Sequence, residues 1–199
     1  MKEIRMEEEG NKMDEMVEKF TENRFDKKFL DDRKIFFWGV VDNDSAKYLT
    51  NRLLYLDALK PGEEIKLFIN SQGGMVTSGM VIHDTMRMIK SPVATICMGM
   101  AASMGAILLA AGEKDRRYIY PHGEVMIHQP SVGYIQGTAS DLEIHARQIQ
   151  RTRELSAKLL ADYCGHKPEK IQKDFDRDFW LNAEESLEYG IADKIIEEL

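Results

Sequence analysis

The sequence predicts an α/β fold, in which helices pack on a sheet of mainly parallel strands. Strand-like and helix-like patterns alternate about four times along the chain from residue 35 onward, which is typical of a layered parallel sheet. The chain has 199 residues, of which 43% are hydrophobic and 31% charged, so it can form one globular domain with a sizeable core. We expect residues 1–24 to be a mobile acidic arm and residues 25–199 to be that single domain.

The first half of the chain supplies three strand and helix pairs. Apolar, β-branched and aromatic runs predict the first three strands, at Ile35–Val41, Ile65–Ile69 and Val93–Met98. Apolar residues at helical spacing predict helices from a cap at Asp44 to about Ala58, at Met75–Lys90 and at Ser103–Ala111. Pro61-Gly62 and Pro92 end the first two helices, and Asn70–Gly74 is expected to be a sharp loop.

The second half of the chain contains shorter strands and one long helix. Arg117–Tyr120 and Glu124–Ile127 are predicted short strands, and residues 168–199 are expected to form two short helices and a strand, Ile191–Ile196. Thr138–Tyr163 contains neither glycine nor proline and predicts a helix of about 39 Å. Because this exceeds the body of a small domain, we expect the segment at about 123–164 to project as a handle onto another subunit, the alternative being a helix along its own domain.

Composition argues against several classes of protein. The net charge of −7 and the absence of a basic tract give no reason to expect a nucleic-acid or anionic membrane partner. Val93–Gly112 is uncharged over 20 residues, but it is rich in small residues and divides into a strand and a helix, so we interpret it as buried rather than membrane-spanning. The N-terminus lacks a signal-peptide core, and Cys97 and Cys164 are expected to be reduced thiols, so we expect a cytoplasmic protein.

Ser103 is the first residue that indicates chemistry. It lies among small residues, GMAASMG, at a predicted turn from strand to helix. Backbone N–H groups at a helix start can stabilise an oxyanion beside the hydroxyl, as in a nucleophile elbow, although the spacing differs from G-x-S-x-G. An ordinary N-cap serine in an Ala-rich core explains the pattern equally well.

The Asn70–Gly74 segment is a weaker signal. Its paired glycines follow a strand and precede a helix, so they could expose an amide to a ligand or form an ordinary turn. No G-x-x-x-x-G-K-[ST] motif occurs in the chain, and we therefore expect it not to bind ATP itself.

A general base and an orienting acid complete the candidate set. Of the five histidines, His128 ends an apolar strand and precedes Gln129-Pro130, a position that suits a base held near neutral pH, although a structural histidine is possible there. Asp174, Asp176 and Asp178 are the candidate acids, and residue chemistry alone does not choose among them. No metal or other cofactor is expected.

Five stretches resemble the proteolytic subunits of the Clp ATP-dependent serine protease family. They are FINSQGG, ICMGMAASMGAILLAAG, MIHQP, GTASDLEIHARQI and DRDFWLNAEESLEYGIADKI, which together cover roughly residues 65–199 in the family's order. The resemblance implies a ClpP/crotonase-like spiral of ββα units with a projecting long-helix handle.

The resemblance also implies roles for individual residues. Ser103 would be the nucleophile, His128 the base and Asp178 the acid that orients it. The backbone N–H groups of Gly74 and Met104 would form the oxyanion hole. These roles imply a serine endopeptidase that hydrolyses unfolded proteins.

A ring assembly and a partner are implied as well. The family forms two stacked heptameric rings with an inner chamber, interdigitated through the handles and fed by ATP-dependent AAA+ unfoldases. Residues 1–34 depart from the family pattern in spacing and acidity, which leaves the docking unfoldase open.

Two other functions are compatible with parts of the pattern. A non-catalytic ring subunit would keep the fold without the triad. A crotonase-type acyl-CoA enzyme would share the spiral and a backbone oxyanion hole, but would need a carboxylate near the Gly-Gly loop.

Overall fold

A computed structural model describes residues 24–131, 133 and 136–198. The chain divides into two units, the first ending at Lys34 and the second beginning at Ile35. In the first unit the described residues form a helix, α1, over 24–31, in which Lys28 Nζ lies 2.9 Å from the Asp32 carboxylate. The predicted arm at 1–24 lies outside the described residues apart from Arg24, so its extent stays a prediction.

Strands and helices alternate through the first half of the second unit. Its first seven elements are β1 (Lys34–Val41), α2 (Asn43–Leu59), β2 (Ile65–Gly74), α3 (Val76–Met88), β3 (Val93–Ala102), α4 (Met104–Ala110) and β4 (Arg117–Ile119). The remaining elements are β5 (Glu124–Ile127), α5 (Ala139–Cys164), α6 (Pro168–Asp174), β6 (Phe179–Leu181), α7 (Ala183–Tyr189) and β7 (Lys194–Ile195). The predicted α/β class with a largely parallel sheet is confirmed.

The sheet divides along β3, and this division positions the candidate site. The main path has the order β1-β2-β3-β4-β7, and β5 pairs with the far end of β3. Thr95–Cys97 pair with β4, whereas Met100–Ala102 pair with β5, both in parallel. Gly99, at φ +79°, lies between the two pairings, in a backbone region that favours glycine. β6 then pairs antiparallel with β5, so the second branch ends in an antiparallel edge.

Several element boundaries differ from the sequence-based expectation. β2 continues through the expected loop to Gly74, since Ser71 still pairs with Ala101 beyond a register shift. β3 likewise extends to Ala102 because its second half pairs with β5. The cap of α2 is Asp42, whose carboxylate accepts from the Ser45 N–H at 2.8 Å, so the expected cap at Asp44 was wrong. β6 was not predicted, because three residues are too few to show a period.

Helix α4 explains the long uncharged run. All seven of its residues are buried, and the Thr95 hydroxyl at the start of the run donates to the carbonyl of Leu109 at 2.7 Å. A helix surrounded by protein needs no polar face, so an uncharged sequence there reflects the core. Within the described residues, no helix combines the length and the apolar character that crossing a bilayer requires.

Helix α5 is buried only near its C-terminal end. A capping box between Thr138 and Asp141 starts it, and Gly165 in the left-handed conformation ends it. Its buried residues are Ser156, Ala157, Leu160 and Ala161. Apart from the half-buried Ile149, the residues of its first half are exposed, including the apolar side chains of Leu142 and Ile144. The described part of the predicted handle therefore offers a long uncovered face.

Candidate active site

Ser103 lies between β3 and α4 in an unusual backbone conformation. Its φ and ψ are 54° and −118°, a region that costs a non-glycine residue free energy and is found mainly at functional sites. Its N–H donates to the carbonyl of Met126 at 2.7 Å, which extends the pairing of β3 with β5 by one residue. Because the strand turns sharply into a buried helix here, the hydroxyl is presented at the end of the sheet, as in a nucleophile elbow.

Strand registers bring His128 and Asp178 to this serine. The parallel pairing of Ala102 with Met126 sets the end of β5 beside the end of β3. The antiparallel pairing of β5 with β6 places Ile127 opposite Phe179, so the next position in that register sets His128 opposite Asp178. Two neighbouring pairings thus align three side chains that are far apart in sequence.

The three side chains form a continuous hydrogen-bonded chain. His128 Nε2 lies 2.9 Å from Ser103 Oγ, and His128 Nδ1 lies 3.0 Å from the Asp178 carboxylate. With the Nδ1 proton shared with the carboxylate, Nε2 is left to accept from the hydroxyl. Asp178 is 62% exposed and His128 28% exposed in the single chain, so solvent reaches the acid end of the chain.

The other two candidate aspartates have different partners. Asp174 accepts from Lys170 at 2.6 Å and from the Tyr189 hydroxyl at 2.9 Å. Burial opposes ionisation of Asp174, but the bonds from Lys170 and Tyr189 outweigh it and hold its pKa below the usual value. Asp176 accepts from the Gln129 side-chain amide at 3.1 Å. Of the three, only Asp178 has a hydrogen bond to His128 in the described structure.

The first of the two glycines at the end of β2 approaches the serine closely. A Cβ on Gly73 would lie 2.7 Å from the Cβ of Ser103 and 2.9 Å from the backbone nitrogen of Met104. Gly73 and Gly74 also have φ values of +88° and +152°. Met104 is the first residue of α4, where an N–H has no acceptor within the helix. The family resemblance pointed to Gly74 and Met104, and the sequence analysis overlooked Gly73, which makes the close approach.

Two depressions adjoin the three side chains. A small pocket of about 20 Å³ is lined by Ser103, His128 and residues of α3, α4 and α5. A groove of about 350 Å³ runs between the start of α3 and the first half of α5, with Gly74 and Pro130 on its walls. Sequence analysis identified neither, because their walls come from elements far apart in the chain.

A second histidine, His83, is buried and lies in a separate hydrogen-bonded group. His83 Nε2 lies 2.7 Å from the Tyr163 hydroxyl, and its Nδ1 lies 2.8 Å from the Asp84 carboxylate. Burial raises the pKa of Tyr163. His83 thus connects α3 to the end of α5. Among the described residues, no three His, Cys, Asp or Glu side chains are grouped as a metal site would require.

Comparison with known families gives an extended match. The family model described as Clp protease matches residues 17–199, which is nearly the whole chain.

The chain belongs to the Clp protease family.

Membership confirms the ClpP/crotonase-like fold class and implies a peptidase. The match also begins well before residue 65, where the five family-like stretches begin, so the family relationship includes β1, α2 and part of the divergent N-terminal segment.

Proposed function

We propose that this chain is a serine endopeptidase that hydrolyses peptide bonds of unfolded proteins inside a ring-shaped oligomer. The observation that carries the proposal is the hydrogen-bonded chain from Ser103 Oγ through His128 to Asp178, with distances of 2.9 and 3.0 Å. A hydroxyl bonded to an imidazole that a carboxylate orients is the arrangement that activates serine for acyl transfer.

Attack begins with proton transfer inside this chain. As Ser103 Oγ bonds to the substrate carbonyl carbon, His128 Nε2 takes the hydroxyl proton. The Asp178 carboxylate stabilises the imidazolium that forms and keeps the ring in the required tautomer. When the carbon–nitrogen bond breaks, His128 returns the proton to the departing amine, and an acyl-enzyme remains on Ser103.

Backbone amides would stabilise the negative charge that develops on the substrate carbonyl oxygen. The N–H groups of Gly74 and Met104 would donate to the oxyanion, and the α4 dipole adds positive potential at the same point. Losing one such donor typically lowers kcat by about 10²–10³. Water then enters, gives its proton to His128 and hydrolyses the acyl-enzyme, which restores the serine.

We place the activity in a homo-oligomer of two stacked heptameric rings in the cytoplasm. Family membership supports oligomerisation with an unfoldase. Exposed apolar side chains also need a partner surface, among them Trp38 and Val40 on β1 and Leu142, Ile144 and Leu155 on α5. An AAA+ unfoldase would hydrolyse ATP and deliver unfolded chains, since this chain has no Walker motif and needs no cofactor of its own.

Covalent labelling tests the proposal. A fluorophosphonate should label Ser103, and a fluorogenic peptide should be cleaved by the oligomeric chain. Both signals should vanish in Ser103→Ala and persist in Ser140→Ala, the same change at an exposed position of α5. A chain that assembles into rings with neither signal would be a non-catalytic subunit, and thioester turnover without labelling would indicate an acyl-CoA enzyme.

A further inference from the structure

The segment 176–178, which carries the proposed acid Asp178, belongs neither to α6 nor to β6. The side chains of Asp176, Arg177 and Asp178 are 55%, 86% and 62% exposed, respectively, so burial contributes little to their order. Asp178 nevertheless lies 3.0 Å from His128 Nδ1, and it must keep this position to orient the imidazole. Other contacts therefore have to hold the segment in place.

Gln129, the residue that follows the proposed base in the chain, makes three hydrogen bonds where this segment begins. Its backbone N–H donates to the carbonyl of Phe175, a fully buried residue, at 2.6 Å. Its side-chain amide donates to Asp176 at two atoms, the carbonyl oxygen at 2.9 Å and the carboxylate at 3.1 Å. The backbone bond fixes the residue before the segment, and the amide bonds fix its first residue.

The bond to Phe175 marks a departure from the strand register. Ile127 pairs with Phe179, and a continued antiparallel register would set Gln129 opposite Arg177. Gln129 bonds instead to the carbonyl two residues earlier, so the residues between leave the ladder as they do in a β-bulge. Bulges occur next to active sites, where they re-aim a side chain, and the ladder alone does not fix the residues inside them.

The Gln129 amide supplies the constraint that the ladder does not. In the described structure, the side-chain hydrogen bonds from other elements to this segment come from His128 and Gln129. Without the Gln129 amide, the bond from His128 alone would have to order an exposed segment, and this ordering costs conformational entropy. The Asp178 carboxylate would then spend less time at the imidazole, and the Ser103 hydroxyl would be activated less often.

We infer that Gln129 is a positioning residue, whose side-chain amide holds Asp178 at His128 by fixing Asp176. This inference rests on the proposed peptidase function. The amide acts on the orientation of the base, so its loss should lower kcat and leave KM unchanged. Gln129 precedes Pro130 on the wall of the groove, and a residue that bound the peptide itself would change KM, so the two roles give different results.

Removal of the amide tests the assignment in the full-length oligomer. Gln129→Met keeps the length of the side chain and removes the donor, and we expect it to lower kcat for a fluorogenic peptide about threefold to tenfold, the range of one net hydrogen bond. Gln150→Met is the matched control, because the Gln150 amide also donates to an exposed carboxylate, that of Glu154, at 2.9 Å. The control should keep the kcat of the parent chain.

A double-variant cycle tests whether the effect passes through Asp178. Gln129→Met alone should slow fluorophosphonate labelling of Ser103 about threefold to tenfold. In the Asp178→Asn background the carboxylate to be positioned is gone, so adding Gln129→Met should slow labelling no further. Gln129→Glu also lacks the donor and keeps a polar side chain, and it provides the same comparisons if Gln129→Met does not assemble.

The results separate this inference from the proposed function. A lower kcat with unchanged KM, together with loss of the effect in the Asp178→Asn background, supports the inference. An unchanged kcat, a change confined to KM, or an equal effect in both backgrounds overturns it and leaves the peptidase function intact. Absence of labelling and cleavage in the parent chain overturns the peptidase function and this inference with it.

Discussion

Two adjacent arginines form ion pairs that differ in burial. Comparing the two pairs therefore measures how burial changes the contribution of an ion pair to the stability of this fold. Arg117 in β4 bonds to the carboxylate of Asp193 through its backbone N–H at 3.0 Å, its Nε at 2.9 Å and its terminal nitrogen. The side chains of Arg117 and Asp193 are only 6% and 11% exposed, respectively. Arg116 pairs with Glu64 at 2.7 Å, but these side chains are 43% and 33% exposed. We compare Asp193→Asn with Glu64→Gln.

The two substitutions should differ several-fold in their effect on the free energy of unfolding. Asp193→Asn leaves the Arg117 guanidinium buried without a counter-charge, which typically costs about 3–5 kcal/mol. It also disturbs the junction of β4, β7 and α5, because Arg117 donates to the carbonyl of Tyr163 at 3.0 Å. Glu64→Gln removes a solvent-screened pair and should cost under about 1 kcal/mol.

Calorimetry or circular dichroism on the two variants measures this difference. At roughly 2–4 °C per kcal/mol for a chain of this size, Asp193→Asn should lower the melting temperature by roughly 6–20 °C, and Glu64→Gln by less than roughly 4 °C. Equal shifts in the two variants would refute the reasoning, because burial of an ion pair would then make no difference to the cost of removing its carboxylate.

The pH dependence of the same comparison follows from the state of Asp193. Burial opposes its ionisation, but the hydrogen bonds and the charge of Arg117 outweigh burial and hold the Asp193 pKa below its usual value of 3.8. A lowered pKa stabilises the fold fully above pH 3.8, and this stabilisation is lost as the pH falls through the folded-state pKa. The stability difference between the parent chain and Asp193→Asn should therefore shrink below pH 3.8, which urea titrations at pH 7 and pH 3 would measure.

Three more predictions concern the site and the thiols. Asp178→Asn should lower kcat for peptide cleavage by about 10⁴ through the wrong imidazole tautomer, and a loss under tenfold would remove this residue from the triad. Gly73→Ala inserts a Cβ 2.7 Å from the Cβ of Ser103 and should slow fluorophosphonate labelling about 10²-fold. Gly62 also has a positive φ but has open space around it, so Gly62→Ala should be labelled at the rate of the parent chain. Burial raises the pKa values of Cys97 and Cys164 to about 12, so a disulfide reagent at pH 8 should modify both only after unfolding, and rapid reaction of the folded chain would contradict this.

The elements near the serine show how far local sequence could go. The small residues around Ser103 predicted a tight turn into a helix, and the structure has α4 beginning at Met104. The same reasoning ended β3 at Met98, because the second half of that strand contains glycine and alanine and is held by pairing with β5. Such pairing is a long-range contact, and strand preference depends on it more than on the residues themselves.

The candidate acid shows the limit of residue chemistry most clearly. Asp174, Asp176 and Asp178 lie within five residues of one another, and any of them could orient an imidazole. The antiparallel register of β5 and β6 sets Asp178 opposite His128, while Asp174 bonds to Lys170 and Tyr189. Only the family resemblance selected Asp178 in advance. The register that sets Asp178 opposite His128 depends on how two strands pair, and the residues around Asp178 do not reveal it.

By itself, the amino-acid sequence determined the α/β class, the long helix without glycine or proline, and the small-residue turn at Ser103, since each depends on neighbours along the chain. Tertiary structure alone decided the division of β3 at Gly99, the approach of Gly73 to the serine and the small pocket lined by Ser103 and His128. The physical reason is that these features arise between segments distant in sequence, where strand register and close packing set which side chains meet.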